Sequence, residues 1–199
     1  MPPRKPTTER SVFQLKITLQ DFRPPIWRRV QVYSDITLAK LHRIIQEVMG
    51  WTNSHLHAFT IQGVEYGQPM PDSDLDMRNE RTAKLSQVVP GEKFKFHYTY
   101  DMGDSWEHEI LVEKVLPAEP QTHYPLCLTG KRACPPEDCG GPHGYEELKK
   151  VLKDKNSEHQ DEMLEWVGGF FSPNTFDPNF VNKHFLWNDG DSEIDDLEH

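Results

Sequence analysis

The stretch Lys93–Val115 restricts the possible folds more than any other part of the chain. Apolar and polar residues alternate on both sides of Asp101-Met102-Gly103, the pattern of two strands joined by a tight turn. A three-residue loop with Gly103 in the left-handed bulge position sets Tyr98 opposite Trp106, Phe96 opposite His108 and Phe94 opposite Ile110. On the other face Lys95 meets Glu109 and His97 meets Glu107, opposite-charge pairs when His97 is protonated. A two-residue loop at Met102-Gly103 would instead put Phe96 and Tyr98 against glutamates. The three-residue register is therefore expected.

Two more strands open the chain. Phe13, Leu15, Ile17 and Leu19 alternate with Gln14, Lys16 and Thr18, and the Pro24-Pro25 break separates them from Ile26–Val32. In that second strand Trp27 and Arg29 share the non-core face, while Arg28 points with Ile26 and is expected to reach round the sheet edge. Thr37 is an expected N-cap for a helix carrying Leu38, Leu41, Ile44, Ile45, Val48 and Met49, stopped by Gly50 with Trp51 closing over its end. His55–Ile61 reads as a third strand, Pro69–Glu80 as a polar loop and Leu85–Val89 as a short apolar stretch. Pro117–Gly144 holds six of the 16 prolines and all three cysteines, and reads as an irregular loop. A helical region follows, with an apolar stripe of Tyr145, Leu148, Val151 and Leu152. A Ser157/Gln160 capping box opens a second helix that Gly168-Gly169 stops, and Asp177-Pro178 opens a third through Trp187.

The expected fold is α+β. It has a mixed or antiparallel sheet with an early β-β-α-β, β-grasp-like unit, a long central hairpin and a C-terminal helical cover. Residues 11–187 are expected to form one domain, after a flexible N-terminus (1–10). Residues 188–199 read as a disordered acidic tail, of which Leu197-Glu198-His199 resembles the start of an affinity tag.

Composition narrows the function classes. The 199 residues carry 22 Lys/Arg against 32 Asp/Glu, a formal charge of −10. Residues 1–50 hold nine basic and four acidic side chains, so 9 − 4 = +5 there and −15 in the remainder. Such asymmetry points to a local basic face on an acidic body, or to two halves that attract each other. No apolar run is long enough to span a membrane, and Met1–Arg10 is not a secretion signal, so a cytoplasmic location is expected. There is no P-loop, no G-x-G-x-x-G and no G-x-S-x-G, which argues against ATP, dinucleotide and serine-nucleophile chemistry.

The segments RPPIWRRVQV (23–32), TLAKLHRIIQEVMGW (37–51), SHLHAF (54–59), YDMGDSWEHEI (100–110), PLCLTGKRACPPEDCGGPHGY (125–145) and EWVGGFFSPNTFD (165–177) together resemble the Ri-plasmid open-reading-frame-three-like family. The family usually reads an aromatic where this chain has Met102. The resemblance implies an α+β domain from plasmid- and transposon-linked genes, and supplies no reaction.

Four sets of residues are candidates for function. Cys127, Cys134, Cys139 and His143 are spaced C-x6-C-x4-C-x3-H, a donor set that suits a structural zinc; alternatively the thiols are simply buried. His55 and His57, two apart on a predicted strand, would project from one face. With His108, Asp104 and Glu107 they would form the site of a metal-dependent hydrolase, unless His55 only caps a turn while His57 and His108 are hydrogen-bonded within the sheet. Arg23, Trp27, Arg28, Arg29 and Arg43, with Lys40, are a basic-aromatic set for a protein or nucleic-acid partner, or for salt bridges to the acidic half. Asp101, Gly103 and Asp104 have turn chemistry as a sufficient role, and their acids are also available to a site at the hairpin tip. The leading expectation is a non-enzymatic binding module; the alternatives are the hydrolase and the structural zinc domain.

Overall fold

In the computed structural model, which describes residues 10–69, 77–154, 156 and 158–188, the two N-terminal alternating segments pair as an antiparallel hairpin. Strands β1 (Ser11–Leu19) and β2 (Ile26–Tyr33) set Leu15 opposite Val30, Ile17 opposite Arg28 and Leu19 opposite Ile26 on the buried face. Helix α1 (Leu38–Met49) begins as expected: the Thr37 side chain accepts from the Lys40 amide at 3.1 Å. It ends on Gly50, whose φ of 85° is left-handed, and the amides of Gly50 and Trp51 both donate to the Gln46 carbonyl. Its apolar stripe joins the sheet in one core with Phe13, Leu15, Ile17, Phe96 and Ile110.

The chain continues through β3 (His57–Ile61), β4 (Val64–Gly67), β5 (Met77–Asn79), the short α2 (Leu85–Val88), β6 (Lys95–Tyr100), β7 (Trp106–Pro117) and β8 (Leu126–Lys131). Three helices follow: α3 (Gly141–Lys153), α4 (Gln160–Trp166) and α5 (Pro178–Asn188). The strands form one sheet in the order β5-β4-β3-β6-β7-β1-β2-β8, in which only β4 and β5 run parallel. This is the expected α+β architecture, with the strand–strand–helix–strand opening, the central hairpin and C-terminal helices. The hairpin β6–β7 lies between β3 and β1. Among the described residues no helix is long and apolar enough to cross a membrane.

The hairpin keeps the expected faces but shifts by two residues. Tyr100 pairs with Trp106, Tyr98 with His108, Phe96 with Ile110 and His97 with Glu109. The tip is five residues, Asp101–Ser105. Asp101 Oδ1 accepts the amides of Gly103 and Asp104, and the Ser105 amide returns to the Asp101 carbonyl. The left-handed residues are Asp101 and Ser105, not Gly103. A shift of two preserves the pleat, so every side chain stays on its expected face. Lys95 still reaches Glu109, diagonally, at 3.0 Å.

Pro117–Gly144 is more ordered than its composition implies. It contains β8, which pairs with β2 from Trp27↔Lys131 to Gln31↔Leu126. As an edge strand β8 is covered by α5: Asn182 accepts from the Cys127 amide at 2.8 Å and donates to the Cys127 carbonyl at 2.9 Å. Helices α4 and α5 start and stop close to the expected signals. Gly168 and Gly169 have left-handed φ, and Asp177 accepts from the Asn179 amide. Within the expected polar loop Pro69–Glu80, β5 pairs with β4. The N-terminus up to residue 9, expected to be flexible, residues 70–76 of that loop, Ser157 of the expected capping box and the tail from 189 lie outside the described residues.

Candidate functional site

The tip of the β6–β7 hairpin meets two other segments, the turn after α1 and the turn before α3. Asp101 follows β6, and the two oxygens of its carboxylate have different partners. Oδ1 is held by the loop amides of Gly103 and Asp104, and Oδ2 faces His55 Nε2 at 3.6 Å. Asp138 Oδ1 approaches the same nitrogen at 3.0 Å from the other segment. His55, Asp101 and Asp138 each offer one ligand atom, all within 4.8 Å of one another, and they are the one such group of three or more among the described residues. His55 Nε2 is buried and makes no hydrogen bond of acceptable geometry, despite the two carboxylates beside it. Asp101 is largely buried and Asp138 open to solvent, with 12% and 71% of their side chains exposed.

A second layer of contacts fixes these three residues. Glu137 accepts from the Thr52 amide at 3.0 Å and from the Thr52 and Tyr100 hydroxyls. Burial alone would raise the Glu137 pKa, but these hydrogen bonds outweigh it and hold the carboxyl below its ordinary range. The Ser54 amide donates to Tyr100 at 3.0 Å, so Tyr100 ties the histidine segment to the Glu137-Asp138 turn. Asp104 Oδ2 accepts from the Gly140 amide at 3.2 Å. The contact is close enough that a Cβ on Gly141, itself left-handed, would stand 3.0 Å from the Asp104 carbonyl oxygen.

The other expected residues are distributed differently. His57 turns away from His55: its Nε2 meets Glu80 at 2.7 Å, and its ring stacks on His42. His108 is fully buried, with Nδ1 on the Tyr98 carbonyl, and burial pushes its pKa down to about 4. Asp104 borders the His55 group, whereas His57 and His108 have separate partners. Cys127, Cys134, Cys139 and His143 do not bring three ligand atoms within 4.8 Å of one another. Burial raises the three thiols to about 11, 12 and 12, and His143 is exposed on α3.

The basic-aromatic set is divided among three places. Arg23 and Arg43 are exposed. Arg29 pairs with Glu113 at 2.6 Å on the sheet face turned away from α1, beside Trp27 and Lys16. Arg28 does not reach round the sheet edge. It is 1% exposed on the core face, because strand pairing sets it opposite Ile17 beneath α1.

Sequence reasoning did not single out Glu137, Asp138, His42 or Glu80. The acidic pair Glu137-Asp138 before Cys139-Gly140-Gly141 was the available signal, within a segment read for its cysteines.

The comparisons agree with this architecture. The family model for plasmid pRiA4b ORF-3-like proteins matches residues 11–180. The uncharacterised protein y4hQ of Sinorhizobium fredii (strain NBRC 101917 / NGR234) is 44% identical over 161 residues, 79% of this chain and 81% of that protein. The crystal structure of a protein of unknown function, MM3350 from Methanosarcina mazei Go1, is similar at a TM-score of 0.77 and 38% identity, covering 87% of this chain and 99% of the other. With the family match spanning all eight strands, this chain belongs to the plasmid pRiA4b ORF-3-like family.

Proposed function

We propose that the protein binds a divalent transition metal through His55, Asp101 and Asp138 and uses it in metal-assisted hydrolysis. The observation that carries this reading is the buried His55 Nε2, close to two carboxylates and hydrogen-bonded to neither. Ligand atoms at zinc bond lengths of about 2.0–2.2 Å stand roughly 3.3–3.6 Å apart around a tetrahedral ion. The nitrogen–oxygen separations of 3.0 and 3.6 Å are close to that spacing. One imidazole and two carboxylates suit zinc, manganese or ferrous iron. Three protein ligands leave positions for water and substrate, the pattern of catalytic zinc, and such an ion lowers the pKa of its water toward neutrality.

The reaction is tested with bis(p-nitrophenyl) phosphate and p-nitrophenyl acetate, using protein loaded with zinc or manganese. Turnover that requires the metal and disappears in His55→Ala is the expected result. Metal bound stoichiometrically with no turnover of either ester would remove hydrolysis from the proposal.

A second reading, docking of a protein or nucleic-acid partner, is supported by Trp27, Lys16 and Arg29 grouped on the sheet face turned away from α1. Charge reversal at Arg23 and Arg29 would weaken that binding and flatten its salt dependence. Partner binding unchanged in the double variant would exclude this face.

A further inference from the structure

Arg28 is a buried cation with an incomplete set of partners. Its Nε donates to the Val48 carbonyl at 2.7 Å, and its Nη1 to the carbonyls of Trp27 and Lys131 at 3.0 and 3.1 Å. The Phe176 ring covers the guanidinium, 3.8 Å from Cζ to the ring centroid. Gly130 makes room for that ring: a Cβ there would fall 2.6 Å from Phe176. A guanidinium has five N–H donors, and among the described residues Nη2 has no acceptor and the charge has no carboxylate partner. Burying a charge without a counter-ion is costly, and three carbonyls, one of them at the C-terminal end of α1, offset only part of that cost.

Arg28 also lines a shallow cavity of about 670 Å³, wide open to solvent, between the end of α1, the Ala133-Cys134 segment and the start of α5. Val48, Met49, Phe176, Phe180 and Val181 give it apolar walls. Two other charged groups line it, Glu47 and Asp177. Asp177 also accepts the Asn179 amide, and Glu47 lies 3.9 Å from His184.

We infer that this cavity is a binding site for a small amphipathic carboxylate, its head on Arg28 Nη2 and its apolar body against Val48, Phe180 and Val181. A carboxylate supplies the missing acceptor and the missing counter-charge together. Glu47 and Asp177 disfavour a polyanion, which selects a singly charged head over a di- or triphosphate. The site shares no residue with the His55 group and does not depend on the metal proposal.

The test is side-chain NMR of the full chain, following the Arg28 guanidinium and the Val48 and Val181 methyl groups during titration with hexanoate, benzoate and pyrophosphate. Saturable shifts of these resonances by hexanoate or benzoate are expected, with pyrophosphate at least about tenfold weaker, a difference of about 1.4 kcal/mol. Arg28→Met removes three buried hydrogen bonds and is liable to misfold, so Ala133→Phe is the deciding variant. Ala133→Phe fills the cavity, keeps the Arg28 hydrogen bonds, and is expected to weaken binding at least about tenfold. No shift with either carboxylate, equal shifts in Ala133→Phe, or pyrophosphate binding as tightly as benzoate would each overturn the assignment.

Discussion

His42 and His57 lie face to face, their ring centroids 3.4 Å apart and their planes within 2°. A closed set of hydrogen bonds fixes the His42 tautomer. Gln46 Nε2 donates to the Tyr98 hydroxyl, which donates to His42 Nδ1, and His42 Nε2 donates to Asn53 Oδ1. The Asn53 amide then returns to Gln46 Oε1. Burial, and next the neighbouring His57, push the His42 pKa down to about 3. Burial favours the neutral ring, and this set of hydrogen bonds matches that form.

Acid lability follows from His42 and His108, whose pKa values are lowered to about 3 and about 4. Both titrate near 6.5 in the unfolded chain, which therefore binds more protons than the native state below that pH. Stability is unaffected by these groups above neutrality and falls as pH drops from about 6.5, by up to ~1.4 kcal/mol per pH unit for each histidine. Urea unfolding at pH 5 should show a loss of about 2 kcal/mol or more relative to pH 7.5. His108→Leu should remove about half of that loss. Equal stabilities at the two pH values would contradict the buried neutral histidines.

Asp101 separates turn chemistry from the proposed metal binding. Asp101→Asn retains the Oδ1 acceptor for Gly103 and Asp104 and tolerates the left-handed φ of 56°. It should change stability by less than about 1 kcal/mol while weakening metal binding. Asp101→Ala loses both, with a stability cost of about 1–3 kcal/mol. Chemical denaturation of the two variants checks the first effect and metal titration the second.

Gly144 tests the support of the site without touching a ligand. A Cβ there would sit 1.8 Å from the Cys139 carbonyl oxygen, so Gly144→Ala must displace the turn that carries Asp138. A loss of about 1–3 kcal/mol is expected, as for overpacking elsewhere. Metal affinity should fall with it. Wild-type affinity in this variant would mean that the turn does not position Asp138.

The three thiols should be slow toward iodoacetamide in the native state at pH 8. Burial raises Cys127, Cys134 and Cys139 to about 11, 12 and 12, and the thiolate is the reactive form. Mass spectrometry should find three labels only after unfolding. Rapid native labelling of Cys127 or Cys134 would contradict their burial.

Local patterns were legible in the sequence where neighbours along the chain decide the outcome. Thr37 and Gly50 bracket α1 through bonds to residues within one turn, and the faces of β6 and β7 follow from a period of two. The hairpin register was missed because the Asp101 carboxylate captures two loop amides, a side-chain effect that alternation does not encode. Strand β8 was missed because six residues among prolines become a strand only through pairing with β2 and coverage by Asn182. The sequence singled out His55 as a candidate metal ligand and Asp101 as a tip acid. Asp138 comes from a distant turn, and only the fold brings it to the same nitrogen.

The most direct test of the metal proposal is calorimetric titration of metal-free protein with zinc and with manganese, on the wild type and on His55→Ala and Asp138→Asn. One equivalent bound by the wild type, with affinity reduced on the order of tenfold or more in each variant, is the predicted result. No binding by the wild type, or equal binding by His55→Ala, would contradict a metal centre at His55, Asp101 and Asp138.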